Sequence, residues 1–307
     1  MQPADVRGGA CWPLRARAQT GVVVVTDPSR QQLHAIWAAV APSWGEHADA
    51  IDGRGAGVTR AMLNAVDLAR GNRVLELAAG PGSVGLAAAE VVGPDGSVVV
   101  SDIEPQMAAF AAERARRRGL VNVTTLVLDL EHIDCPAASF DIVVCRDGLM
   151  LVPDPAAALR EVHRVLRPGG RAALAVWADR RRNPWLGVLL DAVAAEFGVP
   201  VPPPGMPGPF SLAEPGTLAD LLRAAQFTDV TERDVETPLH VRSVEEWWSM
   251  VPSLAGPLAS LLESLPPART AAIRTRAQDD LATFAVPGGY DLPGVSVVGS
   301  GRRPSPT

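Results

Sequence analysis

Apolar positions along this chain change period several times, and those changes mark its elements. From Ser29 to Ala41, Leu33, Ile36, Trp37 and Val40 recur at the spacing of one helical face, and a second helix follows Thr59 through Met62, Leu63 and Val66. Beyond residue 70, short apolar runs alternate with helical segments. Arg73–Leu77 precedes a helix from Pro81 to Val92, and Ser97–Ser101 precedes a helix from Pro105 to Arg118. Thr124–Leu128 stands alone, Phe140–Cys145 precedes a helix from Pro155 to Leu166, and Arg171–Val176 follows. Runs such as "SVVVS" and "DIVVC" are apolar almost throughout, as strands covered on both faces are. The alternation predicts an α/β fold, a doubly wound and mostly parallel sheet. The turn cluster "GPDGS" at 93–97 and the "RPGG" at 167–170, read as a helix end and strand start, punctuate it.

After Val176 the pattern loosens. Helices are expected over Trp185–Phe197 and Pro215–Ala225, separated by the Pro-rich "VPVPPPGMPGPF". "TDVTERDVETPLHV" reads as a sixth strand and "GVSVVGSG" as a seventh, with helical segments 244–265 and 267–284 between them. The organisation expected is therefore a mobile N-terminus over 1–25, cap helices over 26–70, and a core over 71–243. A helical cap insertion over 244–284 and a final strand and tail over 285–307 complete it.

Composition narrows the function class. The 28 Lys and Arg against 34 Asp and Glu give a net charge of −6, which argues against a nucleic-acid partner. The basic runs "ERARRRG" and "DRRRN" read as solvated faces. Cys11, Cys135 and Cys145 lack metal-ligand or paired spacing, and the five histidines are scattered, so no metal site is expected. No run approaches the ~20 apolar residues of a spanning helix, so a cytoplasmic chain without a membrane partner is expected. A homodimer is left open.

The stretch with most chemical content is "VLELAAGPGSVGL", in which Gly80, Gly82 and Gly85 spell G-x-G-x-x-G after the first strand. That spelling suits a dinucleotide, but two neighbours point elsewhere. Glu76 at the strand end would repel a pyrophosphate and stabilise an ammonium. Pro81 removes one amide donor, while the remaining amides at the helix start suit a carboxylate. Together they describe an amino-acid zwitterion. Asp102, 22 residues beyond Gly80, is placed to accept both hydroxyls of a ribose. Asp129 after the third strand can accept from an adenine amino group, with Leu130, Ile103 and Met107 against the ring.

With "VVVSDIEPQM" and "FDIVVCRDGLMLVPDPAAALREVHRVLRPGGRAALAVW", this stretch resembles the class I S-adenosylmethionine-dependent methyltransferases, especially the ubiquinone and menaquinone biosynthesis branch. The resemblance covers residues 70–178 and implies a Rossmann-like, seven-stranded sheet with helical cap elements. It implies that Glu76 and the loop Ala78, Gly80 and Gly82 hold the methionine part of S-adenosylmethionine, Asp102 the ribose, and Asp129 with Leu130 the adenine. Arg146 and Asp147 would lie near the methyl group. Ala78 stands where that family usually has Gly, and Asp147 where relatives often carry an apolar or aromatic residue.

The expected reaction is methyl transfer to an O, N or C nucleophile of a small, apolar or aromatic molecule. The alternative is a cofactor-binding protein of the same fold that catalyses a cyclisation or decarboxylation. Arg146 and Asp147 either pair with each other or serve the reaction, and Asp147 and His240 are the candidate bases. Among the aromatics of the cap elements, Trp44 and Trp247 are the candidate substrate contacts.

Overall fold

The structure, a computed structural model, describes residues 28–305, with side chains from residue 34 onward. The expectation for residues 1–25 lies outside the described residues. Two helices, α1 (Pro28–Glu46) and α2 (Ala48–Ala65), lead into alternating strands and helices: β1 (Arg73–Glu76), α3 (Ser83–Val92), β2 (Ser97–Asp102), α4 (Pro105–Arg117), β3 (Val123–Val127), β4 (Phe140–Arg146), α5 (Pro155–Val165) and β5 (Leu166–Trp177). The second half holds α6 (Pro184–Phe197), α7 (Thr217–Ala224), β6 (Thr228–Glu236), β7 (Leu239–Val241), α8 (Val244–Leu254), α9 (Pro257–Ser264), α10 (Pro267–Leu281), β8 (Ala285–Val286), β9 (Gly289–Leu292) and β10 (Val295–Arg302).

Seven strands form one sheet in the order β3-β2-β1-β4-β5-β10-β6, parallel except for β10, which runs antiparallel to both neighbours. Strand alternation sends Val74, Val98, Ile142 and Val144 to one face, where α2 and α3 cover them with Val58, Met62, Val84 and Ala88. Leu75, Leu77, Val143 and Leu174 face the other way, under Leu159 and Val162 of α5 and Leu218 and Leu222 of α7. The strand order reverses between β1 and β4, which puts a crevice outside their carboxyl ends.

Several boundaries differ from the sequence reading. The segment 228–241 is two strands in two sheets: β6 edges the large sheet, whereas β7 pairs with β9, itself paired with β8. The helix expected over 244–265 breaks at Gly256, whose φ is +54°, into α8 and α9. "RPGG" lies inside β5, and α3 starts at Ser83 because Gly82 takes φ +88°. Helix α2 begins eleven residues before Thr59, running through Gly53, Gly55 and Gly57. Glycine disfavours a helix, which hid this segment. The reason for Gly55 is steric, since a Cβ there would meet the Arg146 guanidinium.

A third apolar cluster lies apart from both sheet faces. It joins Trp185, Leu189 and Val193 of α6 to Leu239, Val244, Trp247, Leu262, Ile273 and Leu281. Among the described residues, no helix is long and apolar enough to cross a membrane.

Candidate active site

The loop between β1 and α3 turns by visiting the left-handed region three times, at Ala78 (φ +48°), Gly80 (φ +54°) and Gly82 (φ +88°). Ala78 bears the steric cost of a Cβ in that region, and its methyl group is accommodated because Gly148 lies opposite: a Cβ on Gly148 would stand 2.4 Å from that of Ala78. Two buried carboxylates support the loop from beneath. Glu76 accepts from the Val84 N–H (3.0 Å) and the Gly85 N–H (2.7 Å) in the first turn of α3. Asp102, at the end of β2, accepts from the Gly80 N–H (2.7 Å) and the Glu104 N–H (3.0 Å). Burial pushes Glu76 up to about 7 and Asp102 up to about 6, against the amides that favour their ionised forms.

Both acids therefore stand where the sequence reading put them, at the ends of adjacent strands, but the local amide partners dominate their surroundings. Ile103 and the buried Met107 follow Asp102 into the first turn of α4. Asp129 sits just past β3, where its Oδ1 accepts from the Glu131 N–H (2.8 Å), with Leu130 buried beside it.

Cover comes from the N-terminal helices. Trp44 on α1 lies over the loop, so that a Cβ on Gly80 would be 3.6 Å from its ring, and its indole N–H donates to the Leu254 carbonyl (3.2 Å). Arg114 on α4 donates to the Pro81 carbonyl (2.9 Å) and pairs with Asp52 of α2. This arginine ties loop and cover together.

Past β4 a second group of polar side chains gathers. Asp147 takes φ +61°, and its N–H donates to the Ala175 carbonyl (2.8 Å). Its Oδ1 is buried without a hydrogen-bond partner, while Oδ2 lies 4.0 Å from Arg146 Nε. The side chain as a whole is 26% exposed, so one oxygen is enclosed while the residue remains reachable. Arg146 is held by Thr59 of α2 (Nη1 to Oγ1, 3.0 Å). Arg54, also from α2, donates through Nε (3.2 Å) and Nη2 (3.1 Å) to the Thr237 carbonyl and stacks 3.7 Å over the Trp185 ring. Trp185 in turn meets Trp177 edge to face at 4.9 Å. Burial raises Asp147, with Arg146, Arg54 and the Trp177 indole pulling against it, and burial brings Arg54 down to about 10.

Two candidates are not brought to this group. His240 lies on β7, exposed, its Nδ1 2.7 Å from Asp291 Oδ1 across the small sheet. The expected entry from the large sheet fails because β7 has left that sheet. Trp247 is fully buried in the helical cluster, and its indole N–H donates to the Trp185 carbonyl (2.8 Å). Its placement is that of a core residue beneath Trp185. Arg54, Thr59, Trp177 and Trp185 were not singled out from the sequence. Gly53, Gly55 and Gly57 flank Arg54 but gave no usable signal, because glycine inside a helix reads first as an interruption of it. Among the described residues, no His, Cys, Asp and Glu group is arranged to hold a metal ion.

Comparison with known proteins bears on family and fold. A family model described as "Methyltransferase domain" matches residues 74–170. The chain is 35% identical over 247 residues to nocamycin O-methyltransferase of Saccharothrix syringae, covering 75% of this chain and 85% of that protein. It is 37% identical over 121 residues to the ubiquinone/menaquinone biosynthesis C-methyltransferase UbiE of Xanthomonas oryzae pv. oryzae, covering 39% of this chain and 48% of that one. In fold it is similar to the [4+2]-cyclase SpnF, with TM-score 0.57 at 20% identity over 90% of this chain and 96% of that one.

Proposed function

We propose that this chain, which belongs to the class I S-adenosylmethionine-dependent methyltransferases, methylates an oxygen, nitrogen or carbon of a small metabolite with a largely apolar or aromatic body. The observation carrying this reading is the group past β4, where a carboxylate oxygen of Asp147 is buried without a hydrogen-bond partner near Arg146, Arg54 and the Trp177 indole, beside the glycine loop. The name of the relative aligned over most of its length favours oxygen as the acceptor atom.

The residues present fit the cofactor. Gly80 has no side chain under Trp44, and a Cβ on Gly82 would press to 2.8 Å from Ala111, so the backbone is kept close and bare along the loop. The Ser83 hydroxyl, at the start of α3, is buried without a hydrogen-bond partner in the protein. In this reading the loop amides and Glu76 hold the methionine end, Asp102 the ribose, and Asp129, Ile103, Met107 and Leu130 the adenine. When bound, S-adenosylmethionine supplies a methyl group already activated by its sulfonium. The chain's own work is to orient the acceptor, exclude water and, where the nucleophile arrives protonated, take its proton on Asp147 Oδ1. Trp44 closes the loop side, and His240, exposed on the small sheet, takes no part.

Calorimetric titration with S-adenosylhomocysteine tests the cofactor half. Wild type binds, and Asp102→Ala weakens binding by about tenfold or more, about 1.4 kcal/mol. Absence of binding to wild type, or unchanged binding by the variant, overturns the assignment. Mass spectrometry of a converted acceptor then checks the reaction class: methylation adds a methyl mass and a rearrangement adds none.

A further inference from the structure

The polar group past β4 has an unbalanced chemistry that an apolar acceptor leaves unexplained. Arg54 uses one edge of its guanidinium on the Thr237 carbonyl and one face on Trp185, and among the described residues no acceptor is paired with its Nη1. Arg146 is fixed by a neutral hydroxyl, Thr59, and reaches Asp147 only at 4.0 Å, too long for a hydrogen bond. The other carboxylate that Arg146 influences, Glu76, makes no ion pair with it and accepts from the Val84 and Gly85 amides. Two partly buried cations thus share one loosely engaged carboxylate, and a buried cation without a close partner is costly. A buried carboxylate oxygen without a donor is costly too, and Asp147 Oδ1 stands in the same group.

An acceptor with an acidic oxygen relieves both costs. Its anionic oxygen, already deprotonated, accepts from Arg54, and a separate neutral hydroxyl on the same molecule donates to Asp147 Oδ1. The half-buried indole of Trp177, backed edge to face by the buried Trp185, presents the apolar surface that its body needs.

We infer that the acceptor is a weak organic acid, a carboxylic acid, phenol or enol, bound as its anion with the acidic oxygen on Arg54 and its apolar body against Trp177. This rests on the methyltransferase reading for the acceptor's role, but the binding claim is separable from it.

The test uses 2-naphthoate and its neutral counterpart 2-naphthamide, titrated calorimetrically into the full chain with and without S-adenosylhomocysteine. Wild type is expected to bind the acid about tenfold more tightly than the amide. Arg54→Met abolishes the preference, and Arg54→Lys, which restores the charge without the planar fork, recovers part of it. S-adenosylhomocysteine affinity in Arg54→Met stays at the wild-type value, showing that the variant is folded. Equal or tighter binding of the amide, absence of binding by either compound, or a preference surviving Arg54→Met overturns the inference. Failure of S-adenosylhomocysteine to bind wild type, with the acid preference intact, strikes the cofactor reading alone.

Discussion

Glu76 supports the glycine loop from beneath, and in the function proposed above it also faces the methionine end of the cofactor. Its carboxylate is 1% exposed and takes two amide hydrogen bonds, yet desolvation outweighs them and carries it from 4.5 up to about 7. In the unfolded chain the group ionises near its ordinary value, so between those values the folded state holds a proton that the unfolded state has lost. Its contribution to stability is full below about pH 4.5 and is lost as pH rises through about 7, amounting to roughly 3 kcal/mol at about 1.4 kcal/mol per unit. Thermal melts of the unliganded protein at pH 5 and pH 8, compared with Glu76→Gln, isolate this effect from the parallel shift of Asp102. The stability of wild type relative to the variant should fall by most of that amount, about 2.5 kcal/mol, across the range, and a constant difference would contradict the burial-driven shift. Legibility at this scale followed local pattern. Glu76, Asp102 and Asp129 stand where strand ends and motif spacing put them. Arg54 was invisible because its importance comes from packing against Trp185 and Thr237, 131 and 183 residues away in sequence.

At the scale of elements, the turn into α3 depends on residues whose role is conformational. Gly82 combines φ +88° with a Cβ position 2.8 Å from Ala111 Cβ and 3.3 Å from Val100 Cγ1. Neither neighbour is a flexible side chain that can swing aside. Gly82→Ala is therefore expected to cost about 1–3 kcal/mol of stability, measured by denaturant unfolding. It should also weaken S-adenosylhomocysteine binding in proportion to the displacement of the loop. A variant as stable as wild type would mean that the turn has another accessible form. The βα units of the first half were legible because each buries near-continuous strands under amphipathic helices, so periodicity and position agree. The second half was less so. The strands β7, β8 and β9 are three, two and four residues long and lie too close to turn chemistry for a period to develop. Where β6 ends and β7 leaves the sheet is settled by tertiary pairing.

At the scale of the molecule, the helical cluster around Trp247 is an apolar core of its own beside the sheet. Trp177 touches both, and Arg54 of α2 reaches across to Trp185 and Thr237. Trp247 is fully buried and anchors this cluster through the Trp185 carbonyl. Its truncation to Ala removes a large apolar side chain and the indole hydrogen bond, and costs about 3–5 kcal/mol locally. Because the two faces of the sheet have their own apolar layers, that loss should open the cluster before the sheet. Hydrogen exchange in Trp247→Ala is then expected to accelerate over 185–197 and 244–281, while the amides of β1, β2, β4 and β5 keep their protection. Acceleration spread evenly over all of these segments would instead show one cooperative unit, in which the helical cluster cannot loosen without the sheet.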